Sequence, residues 1–301
     1  VAECAAKFMT IATYLRKASQ DVDAALSRWL PRASARPATI HEAMRYSIFA
    51  GGKRLRPILC IAAAEACGGD RKPALRPACA VECIHTYSLI HDDLPCMDDD
   101  DLRRGRPTAH KVFGEGLAVL AGDALLTVAF EILAGVESSR RYPVAEFIRL
   151  LAVASGSRYL IAGQVADLEG EGVRGTRSDL RFIHERKTAA VIEASLALGA
   201  MTANTPTAKR DALMVFGRRL GLAFQIIDDI LDVTQPTEKL GKSAGKDIAA
   251  HKTTYPSVLG LEGSRNEARR ITGEAHRALD AFGSDADRLR EIADYLLARE
   301  F

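Results

Sequence analysis

Apolar residues recur three and four positions apart along almost the whole chain, in stretches rich in Ala and Leu, and strand-like alternation is scarce. This periodicity restricts the fold strongly, because a helix with an apolar stripe must bury it against another layer, and few strands are available to supply one. The spacing predicts helices over residues 1–29, 40–49, 55–67, 73–93, 117–134, 144–168, 178–203, 208–233, 253–261, 266–282 and 285–300. Turn chemistry separates them at 31–37, 51–53, 68–73, 170–175 and 235–245. None of these breaks has the composition of a flexible linker, so the expectation is an all-α, single-domain helical bundle over residues 1–301. A chain of 301 residues, 48% of them hydrophobic, can bury a sizeable core without covalent staples.

Charge and composition exclude several classes of function. The formal net charge is +2 and no basic stripe is visible, which argues against nucleic-acid binding and makes any anion site local. The most apolar long stretch, 117–136, carries Asp123 and Glu131; it reads as a core helix, with no stable membrane insertion. The six cysteines form neither a C-x-x-C pair nor a Cys/His zinc spacing, which suits free thiols in a reducing compartment. The first thirty residues lack a secretory pattern, so the expected location is the cytoplasm.

Two acidic clusters stand out. Asp92, Asp93, Asp98, Asp99, Asp100 and Asp101 place six carboxylates within ten residues, starting where an apolar helix ends. Two like charges about 4 Å apart repel by on the order of 4 kcal/mol at a surface-like dielectric, so carboxylates at the end of a buried stretch need a counter-ion. Pro95 disfavours helix at Leu94, and the resulting break could swing Asp98 back beside Asp92. Hard oxygen ligands of this kind suit Mg²⁺; a solvated acidic loop is the other reading. The second cluster is Asp228-Asp229-Ile230-Leu231-Asp232. Asp228 and Asp232, at i and i+4, share one helix face about 6 Å apart, with Gln225 one turn earlier. Repelling acids on an apolar helix do nothing for stability, so a metal is the stronger reading when both clusters occur in one chain.

With these clusters and Gly51-Gly52-Lys53-Arg54-Leu55-Arg56-Pro57, the sequence resembles the trans-prenyltransferases, the farnesyl and geranylgeranyl diphosphate synthases. The resemblance covers nearly the whole chain, through to Lys252. It implies a helical bundle around a central cavity, usually a homodimer, with the two aspartate motifs facing each other across the mouth. It implies Mg²⁺, three ions per site, held by Asp92, Asp93, Asp98, Asp228 and Asp232. It assigns isopentenyl diphosphate to Lys53, Arg56, His85 and Arg104. It assigns the allylic diphosphate to Arg103, Lys187, Thr188, Gln225, Lys242 and Lys252, and a cavity-lining place to Gln164 and Asp167. The segment around Ser243–Lys246 is about one residue longer than the family's commonest spacing, which loosens the register of Lys252.

Read without the family, several of these residues have plainer explanations. Pro57 suits a first helical turn, where Lys53 and Arg56 add charge to an anion-attracting end or form a solvated basic turn. His85 could be a core histidine, Arg103 and Arg104 could pair with the acidic run, and Gln164 and Asp167 could be ordinary helix polars.

In the resembled family, bulky residues just before the first motif floor the chain pocket. Tyr87 lies five residues before Asp92, about 7.5 Å along a helix, and Ser88 adds no plug. The aromatic favours the fifteen-carbon product, farnesyl diphosphate. The four residues between Asp93 and Asp98, and the run Lys111–Glu115, also resemble geranylgeranyl synthases, which is the alternative. A terpene cyclase would need neither Lys53 and Arg56 nor this second motif, and a non-catalytic partner subunit would typically lose one aspartate motif.

Overall fold

The computed structural model describes residues 9–173, 175–235 and 253–298. Helix α1 (Ile11–Trp29) is capped by the Thr10 side chain; α2 (Ala38–Ile48), α3 (Leu55–Ala66) and α4 (Arg71–Asp92) follow. A two-residue hairpin, β1 (Leu102–Arg103) with β2 (Arg106–Pro107), then leads into a short helix α5 (Ala109–Phe113) and α6 (Glu115–Ala134). Next come α7 (Val144–Ser155), α8 (Leu160–Glu169), α9 (Arg177–His184), a π-turn at Glu185–Ala189 and α10 (Ala190–Thr202). The chain ends with α11 (Thr207–Thr234), α12 (Tyr255–Ala278), a 3₁₀ segment (Asp280–Ala286) and α13 (Asp287–Leu297).

The bundle is arranged by how much of each helix is apolar. In α10 nearly every residue is buried, and in α3 most are, so these two sit at the centre and pack on each other. Gly199 makes that contact possible, because a Cβ there would strike the Cys60 carbonyl. Helices α4 and α11 flank the centre; α6 lies on α4, and α12 on α11. Side chains such as Phe147 and Phe216 are fully buried, each stabilising the fold by about 1.5–3 kcal/mol.

Helix α6, the apolar stretch singled out above, is long and apolar enough to cross a membrane by length and composition. In the fold one face of it, including Ala121, Leu125 and Leu133, is buried in the bundle, while Val119 and Leu120 are 39% and 55% exposed. Cys60, Cys67, Cys79, Cys83 and Cys96 are free thiols.

The expected helices largely form, with instructive differences. The span 144–168 breaks at Gly156–Tyr159, where Tyr159 leaves helical geometry (φ −131°, ψ −99°). The spans 253–261 and 266–282 merge into α12, kinked at Gly260 with φ +70°. The hairpin was not expected: Arg104 and Gly105 both have positive φ, the signature of a two-residue type I′ turn.

Candidate active site

Pro95 ends α4, and the chain folds back on it. The Asp98 amide donates to the Asp92 carbonyl (2.9 Å), and the Asp100 amide to the Asp93 carbonyl (3.2 Å). Asp98 and Asp92 therefore face one cavity of about 230 Å³, whose lining also includes Arg103, Asp167, His184, Lys187, Gln225, Asp228 and Asp229. Among the described residues, the lining carries five carboxylates against two permanent cations. Burial, with Asp98 adding like charge, pushes the Asp92 carboxyl up to about 6 although Lys187 pulls the other way. A carboxylate cluster short of positive charge fits a divalent cation with hard oxygen ligands.

A different local geometry presents Lys187 and Thr188. The π-turn widens the helix by one residue, a distortion common at functional sites. Helix α8 presses against it at Gly163, where a Cβ would collide with the Lys187 backbone. Lys187 Nζ lies 2.7 Å from Asp167 Oδ2; burial opposes its charge, but Asp167 and Asp92 raise its pKa overall. The Thr188 hydroxyl donates to Gln225 Oε1 (3.1 Å), and Gln225 donates to Asp229 Oδ1 (3.3 Å).

A second, larger cavity of about 620 Å³ adjoins the first, sharing Asp92, Leu89 and Lys187 with it. Its polar end holds Arg56 and His85, with Arg56 Nη1 3.4 Å from His85 Nε2. Burial, and repulsion from Arg104, lower the Arg56 pKa to about 10. Burial and the neighbouring arginines hold the His85 imidazole well below its ordinary value, so it is neutral. The Arg104 pKa is also lowered, first by burial. Desolvated cations crowded together favour an anion as firmly as the neighbouring acids favour a cation. The hairpin turn carries Arg104 to the Gly51-Gly52 turn: its guanidinium donates to the Gly51 carbonyl and occupies the space a Cβ on Gly52 would need. Lys53 is exposed on that same turn.

The rest of the large cavity is mostly apolar, with Asp123 and His91 among its lining. Tyr87, Ser88, Gln164 and Val191 line it, and the lining continues to Val119, Leu126, Ile161, Val165 and Leu168. Tyr87 packs edge-on against His91, ring centres 5.8 Å apart, and His91 in turn bonds to the Val119 carbonyl (3.0 Å).

The geometry separates residues that the motifs grouped. Asp93, 4% exposed, is held by Arg103, whose Nε donates to its Oδ1 (2.9 Å), and it lines a small pocket with Tyr46 and Arg104 rather than the metal-suited cavity. Asp232 is buried one turn beyond Asp228 and is likewise outside that lining. Lys242 and Lys252 lie outside the described residues. Sequence reasoning missed His184 and Asp229. Asp229 accepts from the Tyr255 amide (3.0 Å) and so ties the start of α12 to α11, while His184 stacks on Tyr255 with its Nε2 3.6 Å from Asp229. The available signal was spacing: His184 stands three residues before Lys187.

The polyprenyl synthetase family model matches residues 37–295. The heterodimeric geranylgeranyl pyrophosphate synthase large subunit 1 of Arabidopsis thaliana, chloroplastic, is 53% identical over 271 residues, covering 88% of this chain and 73% of its own length. A chloroplastic geranylgeranyl pyrophosphate synthase of Capsicum annuum is 51% identical over 270 residues, covering 88% and 72%. Among solved structures, an FPP/GFPP synthase of Zymomonas mobilis superposes with a TM-score of 0.83 at 40% identity, covering 95% of this chain and 98% of that one. A geranyltransferase of Helicobacter pylori, complexed with magnesium and isoprenyl diphosphate, does so at 0.81 and 35% identity, covering 95% and 97%.

These relatives correct one expectation and bear on a second. The cytoplasmic expectation is overturned, because the plant relatives are named chloroplastic; a folded enzyme of an aqueous organelle has the same surface chemistry as one of the cytosol, so composition could not tell them apart. The plant relatives are named for the geranylgeranyl product, the alternative to farnesyl diphosphate. What they share with this chain is the scaffold and the reaction class: an acidic cavity beside a larger one that holds Arg56 and His85, in a helical bundle matched over most of its length, makes it a member of the polyprenyl synthetase family, a prenyl diphosphate synthase.

Proposed function

We propose that this single polyprenyl synthase domain, residues 1–301, is a geranylgeranyl diphosphate synthase, condensing isopentenyl diphosphate with allylic diphosphates up to the fifteen-carbon stage. The observation that supports the product length is the largely apolar cavity of about 620 Å³ that Tyr87 shares with Val119, Leu126, Ile161, Val165 and Leu168. The names of the plant relatives support the same product and a plastid setting.

Asp92, Asp98 and Asp228 would hold Mg²⁺, three ions in the family's pattern, with Asp93 and Asp232 supporting from behind. Bound there, Mg²⁺ supplies the positive charge that stabilises diphosphate as it leaves. Lys187, Arg103, Thr188 and Gln225 orient the allylic diphosphate, joined by Lys242 and Lys252. Arg56 and Arg104, with Lys53 and neutral His85 donating hydrogen bonds, hold isopentenyl diphosphate, so its alkene meets the allylic carbon inside the bundle. The apolar walls keep water from the carbocation, and Gln164 and Asp167 fix the wall nearest Lys187. The exposed apolar face of α6, with Val119 and Leu120, supports self-association into a homodimer.

The test is incubation of purified protein with Mg²⁺, isopentenyl diphosphate and dimethylallyl, geranyl or farnesyl diphosphate, with products sized by mass spectrometry. A twenty-carbon terminus, with farnesyl diphosphate extended once, is expected. A fifteen-carbon terminus would restore the Tyr87 floor, and no condensation by folded protein would remove the enzyme reading.

A further inference from the structure

The acidic run contains a second set of ligands that the condensation does not use. One ring nitrogen of His110 and one carboxylate oxygen from each of Asp99 and Asp101 lie within 4.8 Å of one another. Among the described residues, none of the three lines either cavity of the active site. Acids alone would be a solvated loop, but the histidine makes a different case. His110 is only 7% exposed. Its Nδ1 lies 3.2 Å from the Thr108 hydroxyl, which itself donates to the Asp100 carbonyl (2.8 Å). With its proton so committed, the hydroxyl accepts from Nδ1–H, which leaves the lone pair on Nε2. Nε2 is buried without a hydrogen-bond partner among the described residues. A buried histidine with Nδ1 engaged by a hydroxyl and Nε2 left without a hydrogen-bond partner, one ring nitrogen of which lies within 4.8 Å of two carboxylate oxygens, has the donor set of a metal-ligating imidazole with a supporting hydroxyl.

We propose that Asp99, Asp101 and His110 form a divalent-metal site separate from the Mg²⁺ of the active site. One imidazole nitrogen and two carboxylates, with open positions for water, suit borderline cations such as Co²⁺ or Zn²⁺ better than Mg²⁺, and the harder Mn²⁺ accepts the same mixed set. The Lys111 ammonium now sits 2.7 Å from Asp101, but both side chains are largely exposed, so that pair is weak and a dication displaces it. Occupied, the site ties the loop after Asp98 to α5 and thereby fixes the hairpin that carries Arg103 and Arg104.

The experiment uses full-length, chelator-stripped protein and Mn²⁺ without diphosphate, followed by pulsed EPR for nitrogen coupling and by binding titration. The expected result is a Mn²⁺ signal with ¹⁴N coupling that survives an Asp92→Asn/Asp98→Asn double variant. The coupling disappears in His110→Gln, and affinity falls at least tenfold. Because His110 is buried, Asp99→Asn/Asp101→Asn serves as the second variant; it keeps the imidazole, alters only exposed groups and should lose the coupling too. Absence of nitrogen coupling in the parent protein, its persistence in His110→Gln, or its loss only when Asp92 and Asp98 are changed would each overturn the proposal.

Discussion

Arg54 and Arg56 stand two residues apart in one motif and have opposite tasks. Arg54 begins α3 in a left-handed conformation (φ +49°) and is buried, with Nη1 2.7 Å from Glu82 and Nε 2.9 Å from Asp23. Removing either member of the Arg54–Glu82 pair strands a buried charge, so Arg54→Ala should lower unfolding free energy by about 3–5 kcal/mol in chemical denaturation. Arg56→Ala should leave the thermal midpoint within a few degrees and raise the KM for isopentenyl diphosphate at least tenfold. Nothing in the motif separates the two arginines, because Glu82 is 28 residues away and meets Arg54 only through the packing of α4 on α3. Asp92 tests the acidic cavity in a different way. Its carboxyl is raised to about 6 from an unfolded value near 4, so below that lower value both states hold the proton and the group's stability contribution is complete. As pH rises through 6 the contribution is lost. Asp92→Asn should therefore leave ligand-free stability unchanged at pH 4 and raise it at pH 8 by on the order of 2 kcal/mol, while condensation falls at least a hundredfold. Denaturant titrations at the two pH values, with turnover measured alongside, check both halves.

At the scale of elements, the sequence spacing was most informative where a helix is regular. Helix α11 shows both why and where this fails: Asp228 and Gln225 share the cavity as their spacing implies, but Asp232 lies outside its lining, and Asp229 lines it while also accepting from the start of α12. The π-turn was invisible, since one extra residue in a turn leaves the apolar pattern of 178–203 almost unchanged. The hairpin was missed because Arg104-Gly105 reads as the end of a charged loop, and only the positive φ of both residues reveals a turn. Gly163 is the joint between α8 and the π-turn. Gly163→Ala should push Lys187 away from Asp92, cutting kcat more than it changes either KM, and destabilising the fold by about 1–3 kcal/mol. Steady-state kinetics with a thermal melt separate those effects.

For the molecule as a whole, helical periodicity sufficed to anticipate the bundle, and two buried helices, α3 and α10, mark its centre. The size of the product cavity was not legible, because it is set by residues from α4, α6 and α8 that are distant in sequence. Tyr87 lines that cavity beside residues of α6 and α8. Ser88 faces the cavity while its hydroxyl donates to the His85 carbonyl (2.9 Å). Ser88→Phe should fill the space beside Tyr87 and shift the terminus to fifteen carbons or fewer, with the first condensation little changed; mass spectrometry of the products reads this directly.

The like charges gathered in the acidic cavity and around Arg56 bear on how long each molecule survives. Without substrates, the fold carries repulsion between Asp92 and Asp98 on one side and between Arg56 and Arg104 on the other. Any ligand that binds the native state alone lowers the population of opened chains open to proteolysis. The abundance of this enzyme would then follow its own feedstock: chains idle for want of diphosphates are degraded first, and supply preserves the catalyst that consumes it.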